Sequence, residues 1–171
     1  MKYLWAPWRT KYINMHSTMK GCFLCTEPGA GNDKRNNILY RGKKTFVIMN
    51  RYPYNNGHLM VVPYRHTGDF SKLTQEELCE LMELTKQTFI ILNKVLKPHG
   101  YNAGFNLGSV SGAGLENHIH MHIVPRWNGD TNFMPVLGKS KVISQSLDTL
   151  YAILIKHFTL LRKANKKKEL I

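Results

Sequence analysis

The chain is 171 residues long and 43% hydrophobic, and it carries 24 Lys and Arg against 11 Asp and Glu, a formal charge of +13. This size and composition are typical of a single globular domain, and three cysteines, an odd number, exclude a fully paired disulfide framework. No run approaches the roughly 18 apolar residues that span a bilayer, and Met1–Ile13 lacks the apolar core of a secretory signal, so we expect a cytoplasmic protein without a membrane partner.

The first half of the chain contains an arm, a cysteine pair and three strands. Residues 1–20 are rich in aromatic and basic side chains and predict an irregular or partly helical N-terminal arm. Cys22 and Cys25 follow, and the Gly, Asn, Pro and Asp residues up to Asn37 predict a loop. Segments rich in Val, Ile, Phe and Tyr predict strands over Asn37–Arg41, Thr45–Asn50 and His58–Tyr64.

The second half begins with the clearest helix of the sequence. Thr74 has the side chain of an N-cap, and Glu77 stands at the capping-box position. Apolar residues recur at helical spacing until Pro98 and Gly100, and we expect Cys79 to be buried or half-buried in this helix. Two strands are predicted around Ala103–Gly108 and His118–Val124, and a second helix over residues 144–164.

The order of these elements predicts an α+β fold with a mostly antiparallel sheet, because the strands occur in groups with a helix between them. We divide the chain into an arm over residues 1–20, a domain over residues 21–145, and a C-terminal helix with a basic tail over residues 146–171. Five of the seven residues from Arg162 to Lys168 are basic, which is typical of a solvated helix end. The remaining positive charge favours an anionic partner, either nucleic acid or a phosphate-rich small molecule.

The most informative motif is His118-Ile119-His120-Met121-His122-Ile123-Val124. In a strand, alternate side chains lie on one face about 6–7 Å apart, so His118, His120 and His122 would share one surface. The isoleucines and the methionine between them would fill the opposite, buried face. Imidazole titrates near neutral pH, so this row could provide a nucleophile, a proton shuttle or metal ligands.

Two further features could form a phosphate and sugar site. The loop Gly108–Gly114 lacks the lysine of a P-loop, so it is either a flexible connection or a set of backbone N–H groups that hold an anion beside the histidines. His58 starts a strand, and Asn50 ends the strand before it. If these strands pair, Asn50 lies near His58 and could hold a sugar hydroxyl.

The Cys22-x-x-Cys25 pair has three interpretations. A zinc site requires two more ligands, and His66 and His118 are the available candidates. The cysteines could also remain unligated thiols. A redox pair is disfavoured, because such a pair opens a helix in a thioredoxin-like βαβ setting that this segment lacks.

Together these motifs resemble the histidine-triad (HIT) family, whose signature is His-φ-His-φ-His-φ-φ after a strand with Gly-His-φ-φ-φ-x-Pro. Both patterns occur here, at Gly57–Pro63 and His118–Val124, and the resemblance covers about residues 20–145. It is closest to the bacterial diadenosine tetraphosphate phosphorylase branch, on Asn50–His58, Asn106–Gly108 and Pro125–Phe133. The resemblance implies a homodimer whose subunits each have a five-stranded antiparallel sheet, a long helix and a C-terminal helix.

The resemblance also implies nucleotidyl transfer through a covalent histidine intermediate. His120 would be the nucleophile on the α-phosphorus, with its Nδ1–H held by the backbone carbonyl of His118. His122 would contact the phosphoryl and leaving-group oxygens, and His58 would support the cluster. The implied substrate-binding residues are Asn50 for ribose, Asn106 and the backbone of Gly112, Ala113 and Gly114 for phosphate, and Trp127 at the border of the site.

We therefore predict an enzyme that cleaves diadenosine tetraphosphate to ATP and ADP, with inorganic phosphate as acceptor. The alternative within the family is a hydrolase or nucleoside phosphoramidase that uses water. Two other classes stay open: a metal-dependent enzyme with His118, His120 and His122 as ligands, and a nucleic-acid-binding module suggested by charge alone. We expect no organic cofactor and no nucleic-acid partner, and a structural zinc ion at Cys22, Cys25, His66 and His118.

Overall fold

The computed structural model describes residues 21–132 and 142–168. The predicted arm at residues 1–20, Phe133 of the resemblance motif and residues 169–171 of the basic tail lie outside the described residues. The helices and strands of the described part are α1 (Phe23–Gly29), β1 (Ile38–Arg41), β2 (Thr45–Met49), β3 (Leu59–Pro63), α2 (Gln75–Leu96), β4 (Gly100–Phe105), β5 (Met121–Arg126) and α3 (Leu147–Lys168). Short 3-10 turns occur at Phe70–Lys72 and Ser109–Ser111.

The five strands form one antiparallel sheet in the order β1-β2-β3-β5-β4. β2 and β3 pair in unbroken register from Thr45 opposite Pro63 to Met49 opposite Leu59. β5, which carries His122, lies between β3 and β4 and is paired on both sides. These observations confirm the predicted α+β class and the five-stranded antiparallel sheet.

The sheet carries a hydrophobic core on each of its faces. Every residue of β2 and β3 is buried, because alternate side chains enter opposite cores. Val47 and Met49 pack in the larger core with side chains of α2 and α3, whereas Phe46 and Ile48 pack in a smaller core with Leu24 of α1. This smaller core lies on the sheet face from which the site is built.

Local signals determine both ends of α2. Thr74 Oγ1 accepts from the backbone N–H of Glu77, and the Glu77 carboxylate accepts from the backbone N–H of Thr74, which confirms the predicted capping box. The helix ends at Leu96, and Lys97 adopts a left-handed conformation with φ +46° just before Pro98.

Within the described ranges, no helix is both long and apolar enough to cross a membrane.

Helix α1 corrects the loop predicted after the cysteine pair. It begins at Phe23 with Cys22 as N-cap, and the backbone N–H groups of Cys25 and Thr26 donate to the Cys22 carbonyl at 3.0 and 3.1 Å. Its sequence disfavours a helix because Pro28 lacks a backbone N–H. Leu24, however, is only 1% exposed in the smaller core, and this burial stabilises the turn.

The bounds of β4, β5 and α3 also differ from prediction. Cys79 is exposed, rather than buried or half-buried as predicted. β4 begins at Gly100 because its ladder with β5 starts there, opposite Arg126. β5 begins at Met121 rather than His118, and α3 extends past residue 164. Cys79 is exposed because it lies off the helix face that buries leucines of α2 in the larger core.

Candidate active site

The pairing of β3 with β5 brings two distant histidines into contact. Met60 lies opposite His122 in the ladder, and His58 precedes β3 on the same face as Met60. Nε2 of His58 therefore lies 2.9 Å from Nδ1 of His122. Both rings are buried, and the Ile119, Met121 and Ile123 side chains are buried as predicted.

His120 is held in one orientation by the backbone beside it. Its Nδ1–H donates to the carbonyl oxygen of His118 at 2.7 Å. The proton therefore lies on Nδ1, and Nε2 keeps its lone pair. Burial lowers the pKa of His120, although the hydrogen bond to His118 opposes this shift. The neutral ring with a free Nε2 is the form that a nucleophile requires.

His58 and His122 form a relay whose tautomers follow from their hydrogen bonds. The backbone N–H of Tyr54 donates to Nδ1 of His58 at 3.0 Å, so His58 carries its proton on Nε2. That N–H donates to Nδ1 of His122, and the proton of His122 therefore lies on its own Nε2. Burial, and then the nearby His122 and His120, lower the pKa of His58 well below its usual value. Burial thus favours the neutral form of His58, and with these tautomers the relay presents one N–H beside the nucleophile.

Two amide side chains lie against this relay. Nδ2 of Asn50 donates to Nδ1 of His58 at 3.3 Å, and Oδ1 of Asn50 accepts from the backbone N–H of Tyr52 at 2.9 Å. The carboxamide of Asn106 lies 3.5 Å from Nε2 of His122 and can turn its oxygen toward that N–H. The structure thus confirms that Asn50 lies near His58. It adds the bond from the Tyr52 backbone N–H, which orients the Asn50 amide and which the sequence did not predict.

Tyr54 and Asp130 support the relay and were missed by the sequence analysis. The ring of Tyr54 packs at a tilt against His58 and His122, with centroids 4.6 and 5.5 Å away. Asp130 accepts from Nδ2 of Asn55 at 2.8 Å, and the Asn55 carbonyl accepts from the backbone N–H of His58 at 3.2 Å. Asp130 therefore anchors the turn that presents His58. No local signal could reveal this contact, because the two residues are 75 positions apart.

The glycine-rich loop and Trp127 lie in different parts of the molecule. The loop contains the 3-10 turn Ser109–Ser111, and the half-buried segment from Gly112 to Gly114 leads toward His118. Trp127 lines a cavity of about 580 Å³ beside the C-terminal end of α2, and none of the clustered histidines lines that cavity. Phosphate binding by Gly112, Ala113 and Gly114, and a substrate contact of Trp127, stay predictions.

A second cluster forms where Cys22, Cys25, His66 and His118 meet, and its four ligand atoms all lie within 4.8 Å of one another. Nδ1 of His118 lies 3.3 Å from each cysteine Sγ and 3.4 Å from Nδ1 of His66. Tetrahedral zinc with bonds of about 2.0–2.3 Å has ligand–ligand edges of about 3.3–3.8 Å. The four donors therefore match zinc in type, and the three separations from His118 Nδ1 match its tetrahedral spacing.

The surroundings of this cluster also suit a cation. Nε2–H of His118 donates to the carbonyl oxygen of Pro63 at 2.8 Å, which leaves the Nδ1 lone pair for a metal. Burial, and then the neighbouring Cys25, raise the pKa of Cys22 to about 11. A thiolate there requires a positive charge, which a metal ion supplies.

Comparison with known proteins agrees with this geometry. A family model described as the HIT domain matches residues 32–129. The chain is 41% identical over 151 residues to the AP-4-A phosphorylase of Mycobacterium tuberculosis, across 84% of this chain and 77% of that protein. It is 30% identical over 93 residues to the asymmetrical bis(5'-nucleosyl)-tetraphosphatase of Schizosaccharomyces pombe, across 54% of this chain and 50% of that protein.

A solved structure shows the same fold at low sequence identity. The zinc-bound histidine triad family protein from Mycobacterium smegmatis matches with a TM-score of 0.64 and 22% identity, over 83% of this chain and 95% of that one. The two proteins therefore share a fold although only 22% of their aligned residues are identical.

We expect the folded protein to lose stability as the pH falls from about 7 to about 5. In the unfolded chain His58 titrates near its ordinary pKa of about 6.5, whereas in the folded protein its pKa is lower. As the pH falls, His58 therefore takes up a proton more readily in the unfolded chain, and this uptake favours unfolding. His58 alone should lower the free energy of unfolding by about 1–2 kcal/mol, measured by urea unfolding at the two pH values. His58→Gln should flatten this dependence, and a free energy that stays constant in the unaltered protein would contradict a neutral, buried His58.

Proposed function

The chain belongs to the HIT family and is a nucleotide-binding enzyme of that family, and we propose that it cleaves diadenosine tetraphosphate by phosphorolysis through a covalent nucleotidyl–His120 intermediate. The observation that carries this proposal is the hydrogen bond from His120 Nδ1–H to the His118 carbonyl, which leaves Nε2 free to attack. The similarity to the AP-4-A phosphorylase of Mycobacterium tuberculosis supports the choice of substrate and acceptor.

In the first step, Nε2 of His120 attacks the α-phosphorus, and the bond from that phosphorus to the bridging oxygen breaks. AMP becomes attached to His120 and ATP leaves. The Nε2–H of His122 lies beside the nucleophile, with ring centroids 4.7 Å apart, and can donate a hydrogen bond to the leaving oxygen. Covalent catalysis divides one difficult displacement into two easier ones.

In the second step, an oxygen of inorganic phosphate attacks the same phosphorus. The bond between phosphorus and His120 Nε2 breaks, ADP leaves, and the ring returns to its neutral form. Because Nδ1 of His120 stays bonded to the His118 carbonyl, the ring is already oriented for the next cycle. Oriented N–H groups around the phosphoryl oxygens would stabilise the charge that develops there.

We assign substrate binding to the amides and the glycine-rich loop. Asn50 keeps one amide N–H and one oxygen lone pair beyond its contacts with His58 and Tyr52, and these could bind a ribose hydroxyl. Asn106 lies at the N–H end of the relay, where it could contact phosphate. The backbone of Gly112, Ala113 and Gly114 would hold phosphate oxygens, with Trp127 contacting a more distant part of the substrate.

The main alternative is a hydrolase that uses water in the second step. The similarity to the asymmetrical tetraphosphatase of Schizosaccharomyces pombe favours it, because the same nucleotidyl–His120 intermediate serves both reactions. A metal-dependent site made of the three triad histidines has less support. Among the described residues, the donors that could share one ion include His118 but neither His120 nor His122.

Cys22, Cys25, His66 and His118 would hold a structural zinc ion. The ion would stabilise two thiolates and join α1, the segment after β3 and the segment before β5.

We also propose a homodimer in a reducing cytoplasmic setting. The described cysteines are all free thiols, which supports the reducing setting. β4 lies at an edge of the described sheet, where a strand can pair with a second copy, which supports the dimer.

Product analysis tests the proposed reaction. With diadenosine tetraphosphate and inorganic phosphate, the protein should form ATP and ADP, and His120→Ala should lower the rate by about three orders of magnitude or more because the nucleophile is lost. His157→Gln, which alters a histidine of α3 outside the cluster, should retain the activity. ATP and AMP formed without phosphate would establish the hydrolase, and the absence of any turnover would overturn the dinucleotide assignment.

Metal analysis tests the zinc site. Protein purified without chelator should contain about one zinc ion per chain, as four protein donors bind a single ion. Cys25→Ser should lose the ion and lower the midpoint of thermal unfolding, whereas Cys79→Ser, at the exposed cysteine of α2, should retain both. Equal zinc contents in the two variants would contradict the assignment.

A further inference from the structure

A basic cavity of about 560 Å³ lies where β2 ends, and the proposed chemistry gives it no role. Its lining includes three cationic side chains, two amides and one carboxylate: Lys34, Arg35, Arg51, Asn32, Asn37 and Asp148. None of these residues belongs to the histidine cluster or to the cysteine–histidine cluster. The cavity is therefore a separate feature of the molecule.

The electrostatics of this cavity favour an anion. Lys34 and Arg35 are exposed and, among the residues that the structure describes, neither side chain has an ion-pair partner. Arg51 donates from Nη2 to the Glu27 carboxylate at 2.9 Å, which orients its guanidinium and leaves other N–H groups available. The N-terminal turn of the 22-residue helix α3 also borders the cavity and adds partial positive charge, opposing Asp148.

The cavity adjoins the proposed nucleotide site. Arg51 directly follows Asn50, so their α-carbons are about 3.8 Å apart. Just before β1, the carbonyl of Asn37 accepts from the backbone N–H of Met49 at 2.9 Å. Arg51 of the lining is therefore the chain neighbour of Asn50, whose amide contacts the catalytic relay at His58.

We propose that this cavity binds a phosphate carried on the 3′ oxygen of the ribose held at Asn50. The substrate class then includes nucleotides that are phosphorylated on the ribose as well as on the 5′ chain. Clustered guanidinium and ammonium groups with amide donors are the chemistry that recognises a phosphate, whereas a nucleobase would not require the charge. This inference rests on the proposed function, because it places a ribose at Asn50.

Binding of three probes to the full-length protein tests the inference: AMP, adenosine 3′,5′-bisphosphate and inorganic phosphate. The bisphosphate should bind about 5- to 20-fold more tightly than AMP, as expected for two or three partly exposed charge contacts. Lys34→Ala/Arg35→Ala should reduce the affinity for the bisphosphate to that for AMP and leave the affinity for AMP unchanged. The matched control Lys86→Ala/Lys94→Ala, which removes two exposed lysines of α2, should retain the full difference.

Each other outcome overturns the inference. Equal affinities for AMP and the bisphosphate in the unaltered protein would show that no ribose phosphate is recognised. A difference that persists in Lys34→Ala/Arg35→Ala would place the contact elsewhere. Binding of inorganic phosphate that is lost in this variant, without any advantage of the bisphosphate, would make the cavity a site for the free anion. If neither nucleotide binds, the proposed function fails together with this inference, whereas AMP binding without the advantage removes the inference alone.

Discussion

The hydrogen bond from Nδ1 of His120 to the backbone carbonyl of His118 is the contact on which the proposed chemistry depends. At 2.7 Å it determines which nitrogen of the nucleophile carries the proton, and a backbone acceptor cannot rotate away as a side chain can. Whatever positions the backbone at His118 therefore positions Nε2 of His120. The pairing of β3 with β5 and the bond from His118 Nε2–H to the Pro63 carbonyl both contribute to this placement.

His118 links two centres of different chemistry. Its carbonyl orients the nucleophile, while its Nδ1 lies 3.3 Å from the sulfur atoms of Cys22 and Cys25. The triad is thus not three equivalent groups on one face. One histidine belongs to the candidate zinc cluster, one is the candidate nucleophile, and His122 ends a relay that begins at the Tyr54 backbone N–H. Burial lowers the pKa of His120 and so favours its neutral form, which suits nucleophilic attack.

Features with short-range causes were predictable from the residues themselves, whereas features with long-range causes were predicted only through donor chemistry or the family resemblance, or were missed. The capping box at Thr74 and the contact of Asn50 with His58 follow from residues at most eight positions apart, and both were predicted. The fit of the cysteines with His66 and His118 was suggested only by donor chemistry. Helix α1 was missed because tertiary burial of Leu24 outweighs the local effect of Pro28. The anchoring role of Asp130 was missed because only the folded chain places it beside Asn55.

Trapping the covalent intermediate tests the central claim most directly. The protein is mixed with diadenosine tetraphosphate in buffer free of phosphate, quenched rapidly under mildly alkaline denaturing conditions, and its mass is measured before and after proteolysis. We expect one added AMP group per active chain, on a peptide in which fragmentation places the group on His120. Turnover without any adduct, or an adduct on a different residue, would contradict the assignment of His120 as the nucleophile.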